Sequence, residues 1–385
     1  MKNLKVLVVW FIVMSVSAAQ AEGLCFDLFL DEAELIQAEA PAKNALYRPI
    51  YSTGQDILNS FKFDEGPSPQ RNMSIPPEAK EQYVFTSETK AIFKQKAAVT
   101  KRNPSRVIQF LEGHDKDVIN AVREQFDRML SEFGKFYPDI YAVTADTITN
   151  KMTGEKVTRK EVLATKGAYE SLELVGKLVQ EDWLMMKKDA KSGEYILIGG
   201  YLAFPTHWSI ERAIGWSLAQ IHSNIPGTEE SRAKFVQMIS MVLDRSLAAP
   251  DRIVVRNNWF VESDPRYALP DYIRTKAPEE QSIVEILASD KTPAEKKKLL
   301  KELLCLRIER QTLRGLPGSG VVVFTINPYV FQLNTIIKNP QVARRILNGL
   351  KLKYPEAAAE DMIGLIKDIL SFEIQLDKDI NSLMD

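Results

Sequence analysis

The sequence predicts an α+β fold, with an antiparallel sheet of about five strands and helices on one side of it and around its edges. Two observations carry that expectation. Strand-like runs come in pairs joined by turn-prone links, Ala190-Lys191-Ser192-Gly193 and Leu316-Pro317-Gly318-Ser319-Gly320, whose glycines and proline suit hairpins. Helical patterns separate the strand blocks, but no glycine-rich phosphate loop follows any strand. The nearest candidate, Gly315 to Gly320, lacks a P-loop lysine and lies between two strands, so a built-in nucleotide site has little support.

The first residues have the order of a secretory signal peptide. Met1-Lys2-Asn3-Leu4-Lys5 is short and basic, Val6 to Val16 is apolar but short for a membrane span, and Ala19 and Ala21 are small enough for a signal peptidase pocket. Cleavage before Glu22 makes residues 1–21 the signal peptide and the mature chain secreted or periplasmic, with no stable membrane span after cleavage. Residues 22–78, interrupted by Gly54, Gly66, Pro67, Pro69 and the Pro76-Pro77 pair, read as an irregular N-terminal wrap. Residues 79–350 form the body, and residues 351–385 a C-terminal helix.

Within the body, helical periodicity predicts helices over 105–111, 115–133, 159–179, 210–221, 229–247, 293–303 and 341–350, with a last one over 356–370. The second carries Val118, Ala121, Val122, Phe126, Met129 and Leu130 on one stripe. Strands are predicted over 183–186, 195–204, 252–261, 304–313 and 321–326.

With 385 residues, 45% of them hydrophobic, the chain can bury one large core or two modest ones. Its 51 acidic and 50 basic residues leave a formal net charge of -1, which provides no overall field for nucleic acid or an anionic membrane surface. The two cysteines, Cys25 and Cys305, exclude an all-cysteine iron-sulfur or structural zinc site. They are either a disulfide in an oxidising compartment or two plain thiols.

Three histidines are present, His114, His207 and His222. His114 reads as an exposed loop residue. His207 and His222 flank the helix predicted over 210–221. His222 falls at its C-terminal end, where backbone carbonyls lack partners and one of them can accept from a ring N–H. That position suits an iron ligand, although taken alone a histidine that simply caps the helix is the more common case.

In the strand over 304–313, alternation places Leu304, Leu306, Ile308, Arg310 and Thr312 on one face. An arginine there needs an anion, whether a cofactor carboxylate, a carboxylate substrate or a buried acidic side chain. Arg307, Glu309 and Gln311 share the other face, where a solvated strand surface is the default. In the strand over 252–261, Arg256 and Asn258 share one face, and Trp259 lies on the other with Ile253 and Val255 as core.

Four blocks of residues, taken together, resemble the haem-dependent oxidative N-demethylase family. They are Val179-Gln180-Glu181-Asp182-Trp183-Leu184; Phe204-Pro205 and Trp208 through Gly215 to Ile221-His222 and Pro226-Gly227; Arg256-Asn257-Asn258-Trp259; and Leu306-Arg307-Ile308-Glu309-Arg310-Gln311-Thr312-Leu313 with Leu316-Pro317, Ser319-Gly320 and Phe324-Thr325-Ile326. The similarity spans roughly residues 83–350, and the Arg-x-Glu-Arg-Gln-Thr-Leu block is its most specific part. Ala213 departs from a position that is often lysine, and His207 stands where the family has no expected histidine.

The resemblance implies a haem b cofactor, a PAS-like antiparallel sheet, and oxidative removal of a methyl group from a small amine with dioxygen and an electron-donor protein. It implies His222 as the axial iron ligand and Arg310 and Arg256 as cofactor-binding or active-site cations. Glu309, Asn258, Thr312 and Glu181 follow as candidate catalytic pocket groups. An exported member would need an electron donor other than a cytoplasmic NADPH-fed reductase. Two further readings share the fold: a haem-binding sensor or carrier without turnover, and a scaffold that has lost haem and binds another small ligand. No partner nucleic acid is expected.

Overall fold

A computed structural model describes residues 73–74, 82–86, 88–223, 228–262, 285–286, 288–353 and 366–371. The expected signal peptide, Cys25, nearly all of the expected N-terminal wrap and most of the helix expected over 356–370 lie outside the described residues. Residues 366–371 of that last helix are helical.

The architecture is mixed, with one large antiparallel sheet and a small one. The large sheet contains β1 (Met73–Ser74), β2 (Ile108–Phe110), β6 (Asp182–Lys188), β7 (Tyr195–Tyr201), β8 (Val254–Glu262), β9 (Cys305–Leu316) and β10 (Val321–Gln332). These seven strands run in the order β1-β8-β9-β10-β6-β7-β2. The small sheet is β3 (Tyr141–Val143), β4 (Thr147–Asn150) and β5 (Lys156–Thr158). The expectation of about five strands is therefore corrected upward. The predicted strands correspond to β6 through β10, whereas the additional ones have two to four residues each, too few to show an alternation.

Both predicted hairpins form. The β9–β10 ladder runs from Leu316 opposite Val321 to Cys305 opposite Gln332, and the β6–β7 ladder is interrupted by a bulge between Met185 and Met186. The predicted helix over 105–111 is instead a short helix, Pro104–Val107, followed by β2, because Ile108 to Phe110 pair with Gly199 to Tyr201. The helix expected over 159–179 is divided into Arg159–Ala164 and Ala168–Gly176.

The predicted helix over 210–221 is also two pieces, Ile210–Ala213 and Leu218–Ile221. Gly215 interrupts it at φ 81, a left-handed conformation that glycine adopts without a side-chain clash. The break lets Gly215 N–H donate to Leu197 O and Trp216 O accept from Leu197 N–H, on the part of the β7 edge that β2 leaves open. A backbone edge thus outcompeted helical continuity.

Alternation divides the sheet into two buried faces. On the first, Leu184, Met186, Val322 and Ile326 pack against Ile210, Ala213, Leu218 and Leu243, the last from the helix Glu229–Ala248. On the second, Trp183, Val323 and Leu316 meet Val118, Phe126 and Phe133 of the helix Asp115–Phe136 and Leu172 of Ala168–Gly176. Farther along that second face, Trp259, Ile308 and Tyr329 pack with Leu300 of Pro293–Leu303, Ile336 of Leu333–Ile336 and Ile346 of Pro340–Lys353. Trp259 is core, as its alternation predicts.

Candidate functional site

The first face turns polar where β8 meets β9. Register places Arg256 opposite Gln311, Asn258 opposite Glu309 and Phe260 opposite Arg307, so these side chains share one surface. The expectation that Arg307, Glu309 and Gln311 form a solvated strand surface is overturned: all three are buried, at 0%, 9% and 5% exposure. Burial requires partners for each. Arg256 Nη1 donates to Gln311 Oε1 at 2.8 Å, and Gln311 Nε2 donates to Glu309 Oε2 at 3.1 Å. Glu309 Oε1 accepts from Arg307 Nε at 3.3 Å and from Thr206 Oγ1 at 3.3 Å. The result is a continuous polar row across two strands, and Asn258 stands half-buried beside its middle.

The segment 204–209 crosses the end of this row and is fixed at its start. Asp182 accepts from the backbone N–H groups of Ala203 and Phe204 at 2.9 and 2.7 Å, while Arg307 Nη2 donates to Phe204 O at 2.9 Å. His207, farther along, has φ 58, the only positive φ at a non-glycine position among the described residues. Its Nε2 lies 3.0 Å from Glu262 Oε1, joining a half-exposed imidazole to a carboxylate that is 8% exposed.

His222 enters from the other side. The helix Leu218–Ile221 starts with a capping box between Ser217 and Gln220 and ends at His222. There the imidazole Nδ1 is 2.7 Å from Leu218 O. A carbonyl can only accept, so Nδ1 carries the proton and Nε2 is left with a free lone pair in the neutral ring. Burial and the nearby Arg256 cation both hold the imidazole pKa below its ordinary value, outweighing the opposing bond to Leu218, and so favour the neutral form. Phe235 of Glu229–Ala248 meets the ring edge-on at 5.2 Å between centroids. Phe235, Met238, Ile239 and Val242 follow helical spacing on that helix and are only half-buried.

Arg256 has a second feature. Its Nε is buried and has no hydrogen-bond partner among the described residues. Burial also lowers the guanidinium pKa, against the pull of Glu309. A guanidinium whose Nη1 is held at 2.8 Å by a neutral amide and whose Nε is unmet among the described residues is suited to a further carboxylate.

The structure therefore gathers His222, Arg256, Asn258 and Glu309 on the first face, and places Arg310, Thr312 and Glu181 on the second. Arg310 Nη1 donates to Gln82 O at 3.2 Å, and Thr312 bonds Thr325 across the hairpin at 2.6 Å. Glu181 accepts from Asn327 Nδ2 at 3.3 Å and feels the Arg310 cation, the buried acidic partner that the sequence allowed for that arginine. Gln311, Arg307, Thr206 and Phe235 are site residues that sequence reasoning did not single out. For Arg307 and Gln311 the signal was available, because alternation put them on the face of Glu309.

Among the described residues, no group of three or more His, Cys, Asp and Glu side chains is placed to hold a metal ion together. His222 would act as a single protein ligand. A recess of about 660 Å³ beside Asp115–Phe136, lined by Glu124, Arg128, Glu132 and Ser319, is a different place. Its acids are engaged, Glu124 with Gly318 and Ser319, and Glu132 with Arg314. Residues 86–360 match the model of a family described as haem-dependent oxidative N-demethylase, alpha subunit-like.

Proposed function

The chain belongs to the haem-dependent oxidative N-demethylase, alpha subunit-like family, and on that premise we propose that it binds haem b on the first face of its sheet and demethylates a small amine oxidatively. The observation that carries this reading is the tautomer of His222. A ligating imidazole needs a lone pair on one nitrogen and an acceptor for the N–H on the other, and Leu218 O is that acceptor at 2.7 Å.

The remaining donor set fits the group as well. Arg256, whose buried Nε is unmet among the described residues, would take a propionate, and the half-buried apolar stripe Phe235, Met238, Ile239 and Val242 would cover a flat apolar ring system. The spatial order β7-β6-β10-β9-β8 also supports a PAS-like reading, since five consecutive strands then appear as 2-1-5-4-3, with the short helices inserted after the second. A haem held there by His222 and Arg256 would supply the binding and reduction of dioxygen.

The chain's own residues bind and orient. Glu309, fixed by Arg307, Gln311 and Thr206, offers a carboxylate that can hold the ammonium form of a small amine and accept its proton. Asn258 adds an amide beside it. Arg310, Thr312 and Glu181 support β9 and β10 from behind. The N-terminal signal sequence supports export to the periplasm or outside, where a donor protein of that compartment would deliver electrons.

The test is the purified mature protein, given haem, reductant and a panel of methylamines. A Soret band and formaldehyde from at least one amine are expected. A Soret band with formaldehyde from none would favour a sensor or carrier. No Soret band would leave a scaffold for another small ligand.

A further inference from the structure

We infer that His207 is a positioning residue for the first face, because its bond to Glu262 seats Thr206 on Glu309 and so fixes the Glu309 carboxylate. The role of that carboxylate rests on the function proposed above, whereas the placement of the loop does not.

His207 occupies the left-handed region at φ 58, a strained conformation for an L side chain, although histidine is tolerated there better than most. Such a conformation persists only when its surroundings over-determine it. The compensation is visible on both sides of the residue. Before it, Asp182 binds the N–H groups of Ala203 and Phe204, and Arg307 binds Phe204 O. At it, Nε2 pairs with Glu262 Oε1 at 3.0 Å, across the end of the same sheet face.

Glu262 is itself nearly buried, and a buried carboxylate needs a donor. His207 is half-exposed, and its bond to Glu262 ties the left-handed residue to the end of the sheet. Thr206 lies between the two anchors. With the chain turned left-handed immediately after it, its hydroxyl reaches Glu309 Oε1 at 3.3 Å. Without the Glu262 bond, residue 207 would relax to a negative φ and carry Thr206 off the carboxylate. Glu309 would then keep Arg307 and Gln311 but lose its third donor.

The experiment uses the full chain with His207→Ala, His207→Asn and Glu262→Gln, read in two ways. Amide hydrogen exchange over residues 204–209 is measured with and without haem. Azide affinity of the haem-loaded protein is measured from the Soret shift. We expect His207→Ala and Glu262→Gln to raise exchange across the loop tenfold or more. His207→Asn should restore protection only in part, since asparagine accepts φ > 0 but its amide ends near the position of Nδ1 and falls short of Glu262.

His207→Ala should also change azide affinity threefold or more, and this change should vanish in a Glu309→Gln background. Unchanged exchange in His207→Ala overturns the latch. Altered exchange with unaltered azide affinity overturns the positioning of Glu309. A chain that takes up no haem sinks the proposed function, and exchange alone then decides the latch.

Discussion

His222 and Leu218 are one helical turn apart, and the 2.7 Å bond from the imidazole Nδ1 to the Leu218 carbonyl fixes which nitrogen is free. If Nε2 holds iron, His222→Ala should abolish the native Soret band or shift it to that of weakly held haem. Adding free imidazole should restore the spectrum, because the substitution leaves a ring-sized space beside Phe235. An unchanged spectrum in the variant would remove the ligand assignment.

Arg256 tests the cofactor carboxylate separately from the iron. Its Nη1 is held by Gln311 while its Nε stays unmet among the described residues. A charge-assisted bond to a propionate is worth about 1.5–3 kcal/mol. Arg256→Met should therefore speed haem loss to a heme-scavenging globin about tenfold or more, and Arg256→Lys should recover only part of it, since an ammonium cannot bond Gln311 and a propionate in the same fork. Equal loss rates for the wild type and Arg256→Met would exclude this role.

The sequence showed the five central strands and several of the longer helices because each has a periodicity of its own, but it missed the 14-residue helix Thr89–Arg102. It also placed Arg256 with Asn258 and Arg310 with Thr312 correctly by alternation. What it could not show was how the faces of β8 and β9 combine. Register between strands is a tertiary property: opposing Asn258 to Glu309 depends on chain connections outside both strands. Alternation within β9 did show that Arg310 and Glu309, neighbours in the most specific block, point to opposite sides of the sheet. The default of a solvated face for Arg307, Glu309 and Gln311 failed because the helices after β7 return over it.

Two adjacent buried carboxyls, Glu181 toward the second face and Asp182 toward the first, should set a pH dependence of stability. Burial pushes the Glu181 carboxyl up to about 7 and the Asp182 carboxyl up to about 6. Both unfolded values are about 4, so the folded state binds these protons more tightly. Their contribution is fully present below about pH 4 and is lost as pH rises through 6 and 7. Glu181→Gln mimics the neutral acid and keeps an oxygen for Asn327 Nδ2. It should change urea stability little at pH 5 and raise it by about 2 kcal/mol at pH 8. A gain at pH 5 as large as that at pH 8 would contradict this origin.

Arg314 holds the second face from the other end. Its guanidinium is 1% exposed, makes two bonds to Glu132 at 2.7 and 2.6 Å, and a third to Gln82 Oε1 at 2.8 Å. Removing one member of a buried pair costs about 3–5 kcal/mol, much of it from the stranded partner. Arg314→Met should lose that amount in a denaturant titration, and Arg314→Met combined with Glu132→Leu should regain most of it. A double variant as unstable as the sum of the two single ones would show that the charges act independently.

Gly315 links the sheet to the wall of the candidate site. A Cβ there would collide with the backbone carbonyl of Ser246, in the helix that carries Phe235 against His222. Backbone cannot move aside as a flexible side chain can, so the helix must shift away from β9 as a body. Gly315→Ala should cost about 1–3 kcal/mol in stability, the usual range for overpacking. The cost should be accompanied by a change at His222, because lifting Glu229–Ala248 at its C-terminal part tilts Phe235 off the imidazole. The measurement is the Soret position and haem off-rate of Gly315→Ala beside those of a control of matched stability loss on the second face, Val323→Ala. If both variants lose haem equally fast, the effect is one of global stability. Faster loss in Gly315→Ala alone would establish that close helix–strand contact at this glycine shapes the haem face.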